Sequence, residues 1–198
     1  MTVATRQFAL AEALGPQEGA ALRLKQVALV VLGVAFMYAA AKTRVPMWPV
    51  PITMQTFAVL TIGAVYGMRL GLVTLLAYLG LGALGLAVFT GEGTGVAYMA
   101  GPTGGYLVGF AVAAALVGWL AQRGWSQSVT GMIGALLLGN IVIYAFGLPW
   151  MFHLFAESKG TAWVMQWGMI NFLPGDLLKL ALAALLVPAA WKLSGTNR

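Results

Sequence analysis

The chain has 198 residues, 61% of them hydrophobic and 8% charged, with a net charge of +6 and no cysteine. A soluble domain carries about a quarter charged residues, so this chain cannot cover a water-facing surface and lipid is its solvent. Its basic residues are scattered singly, which argues against a nucleic-acid partner, and the missing thiols exclude disulfides and thiolate metal sites.

The first 22 residues, up to Leu22, are mixed in character, contain Glu12 and Glu18, and lack the apolar core of a secretory signal. They predict a short cytoplasmic arm over 1–22, part helix, whose plainer reading is a partly disordered terminus. A single membrane domain over 23–198 follows. A helix needs about 20 residues to cross a hydrocarbon core of about 30 Å. Six apolar stretches approach that length: Leu24 to about Thr43, Ile52 to about Gly67, Leu70 to Val88, Gly104 to Gln122, Val129 to about Leu148, and Pro174 to about Leu193. The second is the shortest. The expected fold is all-α and polytopic, with six transmembrane helices.

Basic residues beside the spans set the orientation. Arg23, Lys25, Arg69, Arg123, Lys192 and Arg198 fall on one side. Lys42, Arg44 and Lys159 fall on the other, with Glu92 and Glu157, and Asp176 and Lys179 open the sixth span there. The excess predicts both termini in the cytoplasm, although Lys42 and Arg44 count against it.

That orientation puts three unusual segments on the outer face, as a ligand site assembled from several helix ends requires. In the loop after the first span, Pro46, Pro49 and Pro51 prevent a helix. Trp48 there suits an interfacial anchor, and Thr53 and Gln55 are polar groups at the mouth of a span. The entry to the fourth span holds Pro102, Thr103, Gly104 and Gly105. An open helix N-terminus favours a polar or anionic group, but close helix packing explains these glycines at least as well. The entry to the sixth span carries Asp176, the chain's only aspartate, and Lys179 three residues later on the same helix face. Ionisable groups at the end of so apolar a span are costly and usually functional. The plainer reading is an internal salt pair or a lysine reaching back to the interface.

The runs Val50-Pro-Ile-Thr-Met-Gln55, Gly101-Pro-Thr-Gly-Gly-Tyr-Leu-Val-Gly-Phe110 and Leu173-Pro-Gly-Asp-Leu-Leu-Lys179 resemble those of the BioY family, in matching order and spacing. Its members are biotin-specific substrate-binding S components of energy-coupling-factor vitamin transporters. The resemblance implies a six-helix protein of the bacterial cytoplasmic membrane that binds biotin at its outer face. It implies no cofactor and no catalysis of its own. As partners it implies a transmembrane coupling protein and two ATPase subunits. The family's ligand-contacting Asp and Lys fall on Asp176 and Lys179. The family's site also draws on the outer loop that is here Thr90-Gly-Glu-Gly-Thr-Gly95, where Glu92 and Thr94 find no residue-by-residue match.

The chemistry agrees with that implication. Biotin offers two ureido N–H donors, a ureido oxygen, an apolar sulfur ring and a carboxylate. A carboxylate can accept the N–H groups, and an ammonium can meet either oxygen-bearing end through charge-assisted bonds. Tyr98, Tyr106 and Phe172 could cover the sulfur ring, though an aromatic belt is the plainer account of each. Thr53, Gln55, Gly104 and Gly105 complete the candidate site.

Other classes are weaker. His153 is the sole histidine, which leaves little for an intramembrane enzyme, and no Gly-x-x-x-x-Gly-Lys-[Ser/Thr] run supplies an ATPase. An ion-coupled secondary transporter of a small carboxylated solute is the serious alternative. Its expected mid-span polar residue would be Asn140, which interhelical hydrogen bonding also explains. Ala35 and Ala39 on the first span form a small-residue pair of the kind that lets another helix approach. The resemblance implies that such a pair faces the coupling protein. Gly63/Gly67, Gly105/Gly109 and Ala135/Gly139 share the spacing and suit packing inside the chain.

Overall fold

A computed structural model describes residues 8–195. The fold is all-helical save for one short ladder. Its helices are α1 (Leu10–Ala13), α2 (Gly19–Lys42), α3 (Gln55–Ala83), α4 (Gly95–Met99), α5 (Gly104–Ala121), α6 (Val129–Lys159), α7 (Thr161–Gly168) and α8 (Leu173–Leu193). Among the described residues, five stretches are long and apolar enough to cross a membrane: α2, α3, α5, α6 and the run Thr161–Leu193 that joins α7 to α8. The protein is thus a multi-pass membrane protein.

α3 is not a straight rod. Gly67 has φ +80° and ψ 175°, outside helical geometry and in a region that favours glycine. The chain folds back there. A Cβ built on Gly71 would lie 3.4 Å from the Gly63 Cα, and Gln55 Nε2 donates to Tyr78 Oη at 3.0 Å. On a straight helix those two residues would stand about 34 Å apart at about 1.5 Å per residue. The second and third apolar stretches are therefore the two arms of one helical hairpin.

α5 is the central element, packed between α3 and α6. Its glycines permit that closeness: a Cβ at Gly118 would overlap the backbone at Gly67, and one at Gly109 would lie 3.0 Å from the Ile143 carbonyl oxygen. α2 lies at the edge, and its buried residues Gly33, Met37, Ala40 and Ala41 all belong to its C-terminal part.

Four segments depart from the sequence expectations. α6 does not end near Leu148 but runs on to Lys159 through Pro149, which interrupts the ladder without stopping the helix. α7 then occupies a stretch to which the sequence assigned no element. The proline-rich loop forms no helix, as expected, but pairs Arg44–Val45 (β1) antiparallel with Ile52–Thr53 (β2). The arm is docked where it is described. Ala9, Leu10 and Ala11 are buried, and Gln122 Nε2 donates to Glu12 Oε1 at 2.6 Å. The arm's residues 1–7 and Arg198, which entered the charge count, lie outside the described residues.

Candidate functional site

The helix start at Phe172–Leu173 decides where the charges sit. Pro174 occupies the first turn of α8, where its missing N–H costs nothing, and Asp176 follows in that turn. Lys179 lies one turn on, with Nζ 3.1 Å from Asp176 Oδ1. Both residues are buried, at 7% and 8% exposure. A desolvated pair persists only when its remaining donors and acceptors are satisfied. Here Thr56 Oγ1 donates to Asp176 Oδ1 at 3.2 Å, Lys179 Nζ donates to Thr56 Oγ1 at 3.1 Å, and Tyr144 Oη donates to Asp176 Oδ2. α3, α6 and α8 thus meet at one neutral, hydrogen-bonded cluster.

The cluster lines a cavity holding about 530 Å³ of space between atoms, its mouth included. Val50, Pro51 and Thr53 bring the first loop to its wall, and Phe110, Ile143 and Phe172 add apolar surface. Tyr106 contributes a ring whose hydroxyl is already committed to the Gly168 carbonyl at 2.6 Å. That ring fits because a Cβ at Gly147 would overlap it. Tyr98 stacks on Phe89 with centroids 4.8 Å apart, and burial raises its hydroxyl pKa above the ordinary value.

A second hydrogen-bonded chain ties the loops around the mouth. Thr53 Oγ1 donates to Gln55 Oε1 at 3.1 Å, Gln55 Nε2 to Tyr78 Oη, and Tyr78 Oη to the Val88 carbonyl at 3.0 Å. Lys42 Nζ donates to the carbonyls of Phe89 and Gly91, at 2.9 and 3.0 Å. These bonds grip the backbone on both sides of Thr90. The Thr90 hydroxyl is buried at the cavity wall and has no protein partner. A buried polar group without a partner is costly, so this one suits a ligand.

Of the residues that the sequence singled out, Asp176, Lys179, Thr53, Gln55, Tyr106, Tyr98 and Phe172 converge on this cavity. Gly104 and Gly105 do not line it. A Cβ on Gly104 would overlap the Met99 carbonyl oxygen, and one on Gly105 the Phe146 carbonyl oxygen. Their place is close packing of α5 beneath α4 and against α6. Glu92 and Thr94 are likewise absent from the lining. Thr90, the first residue of the quoted outer loop, does line the cavity, whereas Thr56 and Tyr144 were missed. Thr56 follows directly on the quoted Gln55 run, whereas Tyr144 sits in an apolar helix with nothing local to mark it. Ala35 and Ala39 are exposed on α2, while Gly63, Gly67, Gly105, Gly109, Ala135 and Gly139 are buried. Asn140 donates Nδ2 to the Leu136 carbonyl at 3.2 Å within its own helix. Among the described residues no three His, Asp or Glu side chains gather as metal ligands would.

Known proteins are similar to this chain in sequence and in architecture. A "Probable biotin transporter BioY" from Pyrococcus horikoshii is 36% identical over 83% of this chain and 95% of its own length. A "Biotin transporter BioY" from Rhizobium etli is 38% identical over 70% of this chain and 76% of its own. The crystal structure of an S component for biotin from an ECF-type ABC transporter superposes with a TM-score of 0.77 at 26% identity, covering 88% of this chain and 95% of that one. The sequence profile of the BioY family matches residues 12–196, and the chain belongs to that family.

Proposed function

We propose that this chain captures biotin at the outer face of the membrane and serves as the substrate-specificity S component of an ECF-type transporter. The buried Asp176–Lys179 pair on an otherwise aromatic and apolar cavity carries this reading. Because the two charged groups lie 3.1 Å apart, they meet the same end of a ligand. The ureido ring suits them, with N–H groups donating to the carboxylate and the oxygen accepting from the ammonium. Phe110, Tyr106 and Phe172 then offer the sulfur ring an apolar wall, and Thr90 offers a further hydroxyl. The relatives named as biotin transporters agree with this chemistry.

The same reading sets the protein in the bacterial cytoplasmic membrane with six crossings: α2, the two arms of α3, α5, α6 and α8. Both termini then lie inside, and the cavity opens outside. Gathering of Lys25, Arg69 and Arg123 at the opposite end supports that orientation. A transmembrane coupling protein and two ATPase subunits complete the transporter and supply ATP hydrolysis. Isothermal titration of the purified chain with biotin, thiamine and riboflavin tests the assignment. Tight, slowly reversible binding of biotin alone is expected; equal or absent binding of all three refutes it.

A further inference from the structure

We infer that the groove between α2 and α3, at the end of the bundle opposite the cavity, binds one anionic phospholipid. α5 starts at the cavity, with Thr103 and Tyr106 on its wall, and finishes at the groove, with Gln122 and Arg123 on its rim. α2 touches the bundle through Gly33 and the residues after it, so its earlier turns stand clear. The gap has apolar sides: Val27, Val30 and Val31 on α2 face Tyr66, Leu70 and Val73 on α3. The docked arm closes its end with Phe8 and Ala11. Its volume, open side included, is about 2300 Å³.

Within a bilayer an apolar gap of that size fills with hydrocarbon. The rim decides which lipid supplies it. Lys25, Arg69 and Arg123 bring three cations to the groove, against the single carboxylate of Glu12. That carboxylate is engaged by Gln122 at 2.6 Å and by the Ala9 N–H at 2.9 Å. Lys25 ties the arm in place by donating to the Leu14 and Pro16 carbonyls at 2.6 and 3.2 Å. Arg123 lies over the Trp119 ring. Arg69 makes no hydrogen bond or ion pair among the described residues. Basic pockets between membrane helices on the cytoplasmic side recognise anionic headgroups in this way. A zwitterionic lipid would fill the sides equally well but leave the rim charge unanswered.

Native mass spectrometry of the purified chain, titrated with phosphatidylglycerol and phosphatidylcholine of identical acyl chains, tests the site. One phosphatidylglycerol per chain should be retained in preference. Arg69→Gln and Arg123→Gln should each cut that preference about fivefold, and Val31→Trp should weaken both lipids alike. The preference of the unaltered chain, read as thermal stabilisation by each lipid, should also shrink between 0.1 M and 1 M salt, about 10 Å to 3 Å in screening length. Equal retention of the two lipids, or a preference that neither salt nor the arginine variants change, would overturn the site. So would a co-purified protein segment in the groove in place of lipid.

Discussion

Tyr144 on α6 donates its hydroxyl to Asp176 Oδ2 on α8, so both oxygens of the buried carboxylate are engaged by the protein itself. Tyr144→Phe should therefore lower the thermal stability of the ligand-free chain, at a cost of about 1–3 kcal/mol for a buried acceptor left short. Saturating biotin should narrow the gap, because a ureido N–H can take the freed oxygen. Melting curves with and without ligand check this; an unchanged gap would mean that the ligand does not reach Asp176 Oδ2.

Asp176→Asn and Lys179→Met should each reduce biotin affinity by about 2–5 kcal/mol, as the loss of one member of a desolvated charged contact does. Insertion and monodispersity should be preserved. The double variant should lose less than the sum of the two, because each single change also strands its partner. Titration of all four proteins decides it. Two variants that bind as the parent does would make the pair purely structural.

The α3 hairpin depends on one residue. Gly67→Ala would place a side chain at φ +80°, with its Cβ 2.9 Å from Gln122 Nε2 and 3.1 Å from Ala9 Cβ. Backbone strain of this type costs about 1–3 kcal/mol before any clash is counted. A fall in the monodisperse fraction on size exclusion is expected. Gly80→Ala, with open space around it, is the control that should leave the protein intact.

Orientation can be read by thiol labelling, since the native chain has no cysteine. Single cysteines at Trp48, Glu92 and Lys159 should react with an impermeant reagent in intact cells. Cysteines at Arg69 and Arg123 should react only after permeabilisation. The opposite pattern would turn the cavity toward the cytoplasm.

The exposure of Ala35 and Ala39 separates them from the similarly spaced but buried glycine and alanine pairs. Ala35→Trp or Ala39→Trp should block co-purification with a tagged coupling protein while sparing biotin binding. Retained assembly in both variants would move the partner surface elsewhere, and lost biotin binding would place this face inside the chain.

How much of this was legible in the sequence follows from what each residue had to contend with. Asp176 and Lys179 stood out because ionisable groups are rare in so apolar a chain, and the structure brings them together with Thr53, Gln55, Tyr98, Tyr106 and Phe172. The arms of α3 were visible as separate apolar runs, one ending near Gly67 and the next starting at Leu70, and the structure breaks the helix at Gly67. α6 was drawn too short, because a proline that breaks the ladder was tolerated inside it. Tyr144 escaped for another reason: it is an ordinary residue in its local segment and becomes a site residue only through Asp176, far along the chain. Gly104 and Gly105 sat in the right motif, and their requirement is the approach of Met99 and Phe146 backbone.

Lys42, with Arg44, weakens the orientation signal, since it puts a positive charge at the cavity end of α2. Its ammonium donates to the Phe89 and Gly91 carbonyls and lies over the Tyr38 ring. A count of basic residues treats every lysine as a free vote on sidedness, yet this one is spent on fastening a loop. Exchanging it for methionine would make the chain's charge asymmetry cleaner to read while loosening the turn that presents Thr90, so topological clarity and a well-formed mouth pull this single position in opposite directions.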